Sequence, residues 1–409
     1  MKLYPRDNYL SKIRGFYHDS GMIKVITGVR RCGKSCLMQT IADELVATGV
    51  SPENILYFNL DKRGYISVKT PERLEEIIDQ RAGGSGLKYL FIDEIQNVAG
   101  FEEVVNAFRE EGEYSIFITG SNSYLLSGEL ATKLTGRYLE FEVFPLTFDE
   151  YLGMKRFYGC QIEAEITAEF DKYLTEGGFP KTLEYDDPED KRRYVQGVVS
   201  EIFEKDIRRR VKIRNVSVFE QVQRYVINNF GATTSLTNIL NALRENGSNI
   251  RRETLNRYIQ ILLDAKILYK CERFDLNSKR SISGEQKYYL ADLGFYFATN
   301  TDVRINYGPV LENIVYLYAR AKGYAVSVGR VGKLECDFIL RRRQSDYSYV
   351  QVAMTIMNSV ETENREYAPL EKIRDNYPKY VATRNDLVQR RNGILHINLG
   401  PYMKDGSLF

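Results

Sequence analysis

The stretch VITGVRRCGKSCLMQT, residues 25–40, decides the fold of this chain. It begins as an apolar strand, passes through two glycines, and continues as a helix with one apolar face. Residues 28–35 match the pattern G-x-x-x-x-G-K-[ST] between a strand and a helix, which is the context that a phosphate-binding loop requires. Gly28 and Gly33 permit backbone angles that let consecutive N–H groups point at phosphate oxygens. The stretch therefore predicts a nucleotide site.

Within this loop, neighbouring side chains suit different tasks. Lys34 is expected to reach the β- and γ-phosphates of a nucleotide, and the Ser35 hydroxyl is expected to join the shell of a magnesium ion. Arg30 and Arg31 either steer the charge of the nucleotide or bind an adjacent domain. The predicted nucleotide-binding residues are consecutive: Gly28, Val29, Arg30, Arg31, Cys32, Gly33, Lys34, Ser35 and Cys36.

Short apolar runs alternate with helical stretches around this loop, between residues 23 and 144. The runs are hydrophobic almost throughout, as expected of strands that are buried on both faces of a sheet. This alternation predicts a three-layer α/β domain with a largely parallel sheet over residues 1–146. The five predicted strands are IKVIT, NILYFNL, KYLFID, YSIFIT and YLEFEVF.

An acidic pair follows the third of these strands, in YLFIDEIQNV. Asp93 ends an apolar strand, where a carboxylate is costly unless a cation such as magnesium pairs with it. Glu94 either acts as the general base that polarises an attacking water or simply opens a surface helix. We favour the catalytic role, because hydrolysis at the predicted phosphate site needs a positioned water.

Two further polar residues are candidates for the same site. Asn122 follows the buried strand YSIFIT, and the carboxyl ends of parallel strands meet at one edge of a sheet. Its amide either orients the water or contacts the γ-phosphate, or the residue caps a helix. Arg137 either completes the phosphate site, in its own chain or in a neighbouring subunit, or faces solvent.

A series of motifs resembles a large prokaryotic family of AAA-type ATPases that carry a C-terminal domain of uncharacterised function. The motifs occur in this order: VITGVRRCGKS, LFIDEIQNV, FITGSNS, LTGRYLEFEVFPLTFDEYL, YLTEGGFP and LECDFIL…YVQVA. The resemblance covers essentially the whole chain. It implies ATP as the ligand, Asn122 at the sensor asparagine position, and Arg137 as the arginine-finger candidate.

The middle of the chain loses the sheet pattern and divides into two predicted parts. Residues 147–230 are predicted to be helical, and the resemblance implies a lid on the nucleotide site. Residues 231–290 have the order helix, turn, helix and two strands around the polar loop NSKRSISGE, which favours a winged helix. Such a domain either binds DNA or serves as a protein-binding or structural module. The candidate DNA contacts are Arg251, Arg252, Asn256 and Arg257 on the second helix, with Lys279 and Arg280 on the wing.

The last part, residues 291–409, is predicted to be an α/β domain with a helix followed by three strands. The family's C-terminal domain resembles the restriction-endonuclease fold, whose nucleases need acidic metal ligands and a lysine. Glu312 lies on the helix and Asp337 matches the strand aspartate. Gln351 stands where a glutamate is usual, and Ala353 replaces the lysine. We therefore expect a degenerate fold that is retained for binding DNA or a partner.

Composition sets limits on these hypotheses. The net charge of +2 over 409 residues excludes a whole-chain attraction to nucleic acid, so any basic surface is local. With 2 histidines, histidine-based metal or acid–base chemistry is not expected. The 5 scattered cysteines favour reduced thiols. Because signal-peptide and membrane-spanning patterns are also lacking, we expect a cytoplasmic protein that does not bind membranes.

Three functional hypotheses follow from the sequence. The first is a magnesium-dependent ATPase whose nucleotide state controls a winged-helix and nuclease-like module that binds DNA or a protein. The second is an ATP-dependent switch or adaptor, in which slow hydrolysis only resets the state. The third is a metal-dependent nuclease gated by ATP. Homo-oligomerisation is compatible with all three.

Overall fold

The computed structural model describes residues 2–120, 134–208, 213–248, 250–300, 306–343 and 346–409. The chain divides into two compact units, Met1–Phe144 and Pro145–Phe409. All five cysteines lie within the described residues, and none of them forms a disulfide. Within the same residues, we find no helix that combines the length and the apolar character needed to cross a lipid bilayer.

The first unit is an α/β domain, as the sequence predicts. Its helices in the described residues are α1 (Asp7–Ile13), α2 (Lys34–Ala47), α3 (Pro71–Arg81) and α4 (Phe101–Glu111). Its strands in the same residues are β1 (Ile23–Thr27), β2 (Ile55–Asn59), β3 (Lys88–Asp93), β4 (Tyr114–Thr119) and β5 (Tyr138–Glu142).

These five strands form one parallel sheet in the order β2-β3-β4-β1-β5. Strands β1 and β4 are buried along their whole length, and β3 is buried from its second residue, because both faces of the sheet are covered. One face packs against α3 and α4 in a core that includes Leu90, Ile116 and Phe108. The other face carries stacked aromatic rings, with Phe91 and Phe117 centroids 4.6 Å apart. Helix α2 contacts β4 and contributes no residue to the core formed with α3 and α4, so helices cover both faces, as the predicted three-layer arrangement requires.

The second unit begins with helices and continues into a mixed sheet. Its first helices are α5 (Phe148–Tyr158), α6 (Ile166–Glu176), α7 (Pro188–Glu201), α8 (Val216–Asn228), α9 (Leu236–Glu245) and α10 (Arg252–Asp264). Their starts are encoded locally: Thr147 and Glu150 form a capping box for α5, and the Ser235 side chain accepts a hydrogen bond from the Asn238 N–H at the start of α9.

The described part of this unit also contains a 3-10 helix (Pro180–Glu184), a π-helix (Ile202–Arg208), eight strands and four further α-helices. The strands are β6 (Leu268–Asp275), β7 (Arg280–Leu290), β8 (Ala325–Val331), β9 (Leu334–Arg343), β10 (Asp346–Val352), β11 (Lys379–Thr383), β12 (Arg390–Arg391) and β13 (Ile394–Asn398). The helices are α11 (Gly294–Thr299), α12 (Tyr307–Ala321), α13 (Val360–Lys372) and α14 (Leu399–Lys404).

The hairpin that the sequence assigns to a winged helix belongs to the same sheet as the C-terminal strands. The sheet order is β12-β13-β11-β10-β9-β8-β6-β7, and β6 pairs in parallel with β8. The sequence-based boundary at residue 290 therefore does not separate two sheets. The predicted loop NSKRSISGE is also shorter than expected, because β7 already begins at Arg280. Ile282 is the one large apolar residue in this stretch, so no alternation indicates the strand in the sequence.

Candidate nucleotide site

The loop between β1 and α2 has the backbone of a phosphate cradle. Gly28 and Gly33 have φ angles of +139° and +107°, and Arg31 between them has a φ of +68°. A Cβ atom at position 28 would lie 2.1 Å from the Val143 carbonyl oxygen, so only glycine fits there. Gly33 immediately precedes α2 and makes no side-chain cap, which directs the N-terminal end of this helix toward the loop.

The lysine of the motif lies inside this loop. Its Nζ donates hydrogen bonds to the carbonyl oxygens of Gly28 (2.9 Å) and Val29 (3.2 Å). Lys34 is buried, whereas Ser35 and Cys36, in the first turn of α2, are exposed. A positive charge held by loop carbonyls is placed to transfer its hydrogen bonds to phosphate oxygens, which are stronger acceptors.

The Cys32 side chain binds the phosphate loop to the residue that follows β5. Its thiol is fully buried and donates to the Val143 carbonyl oxygen at 3.2 Å. Burial raises the pKa of this thiol, so that Cys32 stays protonated and acts as a donor. Arg30 is half-buried and Arg31 is exposed.

Three polar side chains meet where β2, β3 and β4 end. The Asp93 carboxylate, which is fully buried, accepts hydrogen bonds from the Asn59 amide (2.7 Å) and from the Thr119 hydroxyl. Sequence reasoning found Asp93 but missed Asn59 and Thr119. The signal for both was available, because each is a polar residue that ends an apolar strand of a parallel sheet.

The hydrogen-bond partners of Asp93 make its carboxylate suitable as a ligand for magnesium. Within the described residues, its carboxylate accepts hydrogen bonds from neutral groups alone and takes part in no ion pair. A buried carboxylate of this kind favours a cation, and hard oxygen ligands suit Mg²⁺. Strands β3 and β1 are separated by β4, which places Asp93 and the start of the loop about 10 Å apart. Asp93 and the loop thus lie at the same end of the sheet, so that Asp93 could hold Mg²⁺ beside a phosphate bound there.

Glu94 has an unusual backbone conformation directly after Asp93. Its φ of +59° and ψ of +46° lie in the left-handed region, which costs a non-glycine residue energy. Two contacts hold it there: its N–H donates to the Thr119 hydroxyl at 3.2 Å, and its carboxylate accepts from the Gln96 amide. The half-buried Glu94 side chain therefore follows directly after the end of β3.

Arg6, which the sequence analysis did not identify, binds the phosphate loop on the side that faces the protein core. Arg6 is 5% exposed, and its Nη1 donates to the carbonyl oxygens of Cys32 (3.1 Å) and Phe144 (2.8 Å). Its guanidinium lies 4.5 Å from the centroid of the Tyr9 ring, and the Tyr9 hydroxyl accepts from the Phe144 N–H at 3.0 Å. Helix α1 thereby ties the phosphate loop to the segment after β5.

The two remaining candidates of this site have different outcomes. Asn122 lies outside the described residues. Arg137 precedes β5, at the end of the sheet opposite the phosphate loop, and its Nη1 donates to the Asn106 amide oxygen at 3.1 Å. Because β5 has 5 residues, its two ends are about 16 Å apart. The predicted role of Arg137 in the phosphate site of its own chain is therefore not supported by its position.

Three arginines of the candidate DNA-binding helix are on the surface. Arg251, Arg252 and Arg257 are exposed, while Leu255 and Tyr258 face the protein core. None of the three pairs with a carboxylate in the described part of the chain. Asn256, Lys279 and Arg280 are also exposed. These side chains are thus available for contacts with phosphate groups.

The C-terminal candidates lie together on β9 and β10. The Asp337 carboxylate accepts from the Val352 N–H at 2.8 Å, and the Gln351 amide contacts the Asp337 N–H at 3.4 Å and donates to Glu366 at 3.1 Å. Burial and the nearby Glu312 carboxylate raise the pKa of Asp337 well above its usual value. Asp337 and Gln351 are thus neighbours on the paired strands β9 and β10.

The parallel sheet, the glycine-rich loop before α2 and the buried strand-end aspartate define a P-loop nucleotide-binding protein. Two known families match separate parts of the chain. An AAA domain matches residues 20–152, and a domain of unknown function (DUF8612) matches residues 167–302. The second match extends across positions 230 and 290, where the sequence analysis places domain boundaries.

Two sequence relatives and one solved structure are similar to this chain. An uncharacterized protein of Haemophilus influenzae is 36% identical over 381 residues, which cover 92% of each chain. The uncharacterized protein MJ1544 of Methanocaldococcus jannaschii is 33% identical over 307 residues, 74% of this chain and 67% of that protein. The Walker-type ATPase PABY2304 of Pyrococcus abyssi has a similar fold, with a TM-score of 0.51 and 16% identity over 72% of this chain and 95% of that one. The chain therefore belongs to the same family as these two uncharacterized proteins, and its residues 20–152 match an AAA domain.

Proposed function

We propose that the protein binds ATP with Mg²⁺ and hydrolyses it, and that its nucleotide state controls a module that binds DNA or a protein. One observation carries the catalytic part: Glu94 is held in a left-handed turn directly after the buried Asp93. A costly conformation that two hydrogen bonds maintain is typical of a residue with a functional position.

Each residue of the site has a separate task in this proposal. Lys34 donates to the β- and γ-phosphates, and the loop N–H groups bind their remaining oxygens. The Ser35 hydroxyl and the Asp93 carboxylate would hold Mg²⁺, which supplies positive charge beside the phosphates. Glu94 accepts a hydrogen bond from the attacking water and receives its proton as the water adds to the γ-phosphorus. The cleaved bond leaves ADP and phosphate.

Two variants test this assignment. Lys34→Ala should weaken ATP binding in calorimetry, because the phosphates lose a charged donor. Glu94→Gln should bind ATP with near-wild-type affinity and hydrolyse it at least a hundredfold more slowly, since an amide is not a base. Glu103→Gln, on the exposed surface of α4, is the matched control. Unchanged turnover in Glu94→Gln would contradict the general-base role.

The same assay distinguishes an enzyme from a switch. Measurable steady-state turnover by the wild-type protein supports the ATPase. Tight ATP binding with negligible turnover would instead indicate that the nucleotide acts as a signal that orders the domains.

We further propose that Arg137 acts on the nucleotide of a neighbouring copy. Its side chain is 44% exposed and lies at the sheet end opposite its own phosphate loop. ATP turnover per chain should then rise with protein concentration, and Arg137→Ala should remove this rise. A specific turnover rate that is independent of concentration would exclude a finger in trans.

The proposed DNA contacts are three exposed arginines: Arg251, directly before α10, and Arg252 and Arg257 within it. Binding through phosphates releases counterions, so affinity should fall steeply with salt concentration. Replacing Arg251, Arg252 and Arg257 by alanine should reduce the slope of log K against log salt by about 3, if each contacts one phosphate. Arg193→Ala on α7, which is exposed and paired with Asp190, is the control. Binding that is absent or independent of salt would contradict this proposal.

A further inference from the structure

An ammonium group lies among three carboxylates in the C-terminal sheet. Lys287 on β7 is 4% exposed. Its Nζ is 2.8 Å from Oε2 of Glu312 on α12, and 3.0 Å and 3.8 Å from Oε1 of Glu335 and Oδ1 of Asp337 on β9. Two of these carboxylates, at positions 312 and 337, are the acidic residues that the sequence assigns to a nuclease-like site.

The nuclease-like pattern has alanine at position 353, where a lysine is usual. A lysine from another strand, Lys287, lies beside its acidic residues. Lys287 comes from the β6–β7 hairpin, which the sequence assigns to the winged helix. The parallel pairing of β6 with β8 places this hairpin in the C-terminal sheet, and the pairing of β8 with β9 places Glu335 and Asp337 near it. No pattern within residues 291–409 can therefore reveal this cation.

Each of the three carboxylates also has an internal donor besides Lys287. Glu312 accepts from the Tyr289 hydroxyl at 3.0 Å. Glu335 accepts from Arg273 Nη2 at 2.9 Å, and Asp337 accepts from the Val352 N–H at 2.8 Å. The three carboxylates thus receive hydrogen bonds, and in one case a second positive charge, from other groups of the chain.

A divalent cation does not fit this arrangement. It would have to coordinate the same oxygens at about 2.0–2.6 Å, and the Lys287 Nζ, which lies 2.8 Å from Glu312 and 3.0 Å from Glu335, would have to leave them. Gln351, in place of a carboxylate, removes one negative ligand. Among the residues that the structure describes, no group of three or more His, Cys, Asp or Glu side chains is arranged to hold a metal ion.

We infer that the Lys287 ammonium is the resident cation of this acidic site and takes the place of a divalent metal. It lies within 4 Å of Glu312, Glu335 and Asp337, shares Glu335 with Arg273, and thereby fixes the β6–β7 hairpin to α12 and β9. The C-terminal domain is then a binding module without metal-dependent cleavage, and its hairpin presents Lys279 and Arg280 from a rigid base. This inference is independent of the proposed ATPase activity.

Lys287→Met provides the main test, because methionine keeps the volume and removes the charge. Leaving buried carboxylates without their cation should lower the melting temperature by about 10 °C. Millimolar Mn²⁺, without nucleotide, should raise the melting temperature of this variant by several degrees and leave that of the wild type unchanged. The control is Lys270→Met on β6, an exposed lysine that pairs with Glu272; it should change neither value.

A second measurement keeps the inference testable if Lys287→Met does not fold. Mn²⁺ binding to the nucleotide-free wild type is followed by electron paramagnetic resonance and compared with Asp337→Asn. Equal binding by both proteins supports the inference. Wild-type binding that Asp337→Asn removes would overturn it, as would a Lys287→Met protein with wild-type stability or no response to Mn²⁺.

Discussion

Replacing Arg6 by methionine should destabilise the phosphate loop, although Arg6 lies 26 residues before Cys32 in the sequence. Methionine retains much of the packing against Tyr9 but has no donor for the carbonyl oxygens of Cys32 and Phe144, which Arg6 binds at 3.1 Å and 2.8 Å. A hydrogen bond from a charged group contributes about 1.5–3 kcal/mol. Two such bonds are lost, and water will reach part of the vacated space and replace some of their energy. We therefore take the lower value for each bond and expect the free energy of unfolding to fall by about 3 kcal/mol.

Nucleotide affinity should fall as well, because the Cys32 carbonyl belongs to the loop that binds the phosphates. If half of the lost energy is needed to restore the loop in the complex, the Kd for ATP rises about tenfold. Unfolding is measured by urea denaturation with tyrosine fluorescence. Affinity is measured by calorimetry with a non-hydrolysable ATP analogue and Mg²⁺.

Arg14→Met is the matched control for this experiment. Arg14 lies directly after α1, is 45% exposed, and pairs with Asp7 and Glu44. Exposed ion pairs contribute about 1 kcal/mol or less, so this variant should keep both stability and affinity. If Arg6→Met bound ATP as tightly as the wild type while losing stability, Arg6 would be structural and would not position the loop. If neither quantity changed, the entire argument would fail.

The remaining predictions concern a glycine and two buried charges. Gly28→Ala should abolish measurable ATP binding because its Cβ would overlap the Val143 carbonyl oxygen; Gly49→Ala, with a φ of +103° and open space around it, should retain affinity. Burial lowers the pKa of Lys24 to about 7, so the stability of the wild type relative to Lys24→Met should rise from pH 7 to pH 10, where the unfolded chain binds more protons. Burial raises the pKa of Asp292 to about 7, so stability relative to Asp292→Asn should instead fall from pH 4 to pH 7. Hydrogen exchange of peptides from each unit measures both; a flat profile would contradict the respective prediction.

The first unit could be predicted in detail because its signals are local. A phosphate site needs glycines, a lysine and a hydroxyl in consecutive positions, and parallel strands need unbroken apolar runs. Residues 23–27 and 34–47 accordingly form the strand and helix that the opening stretch predicts. Asp93 was recognisable because a carboxylate at the end of a buried strand requires a partner.

The partners of these residues were not predictable in the same way. Asn59 and Thr119 contact Asp93 only because β2 and β4 flank β3 in the sheet, and Arg6 reaches the loop across the fold. Sequence order does not determine strand order. For the same reason the sequence could not show that the β6–β7 hairpin joins the C-terminal sheet, since the parallel pairing of β6 with β8 joins segments that the helix α12 separates in sequence.

The sequence by itself determined the phosphate loop, the parallel sheet and the acidic strand end, because each is encoded by residues next to one another. Tertiary structure alone decided which cation neutralises Glu312 and Asp337, and it supplied Lys287 from a neighbouring hairpin. A buried charge requires a partner of opposite charge within a few ångströms. This requirement fixes where the partner lies in space, and the partner can come from any position in the sequence.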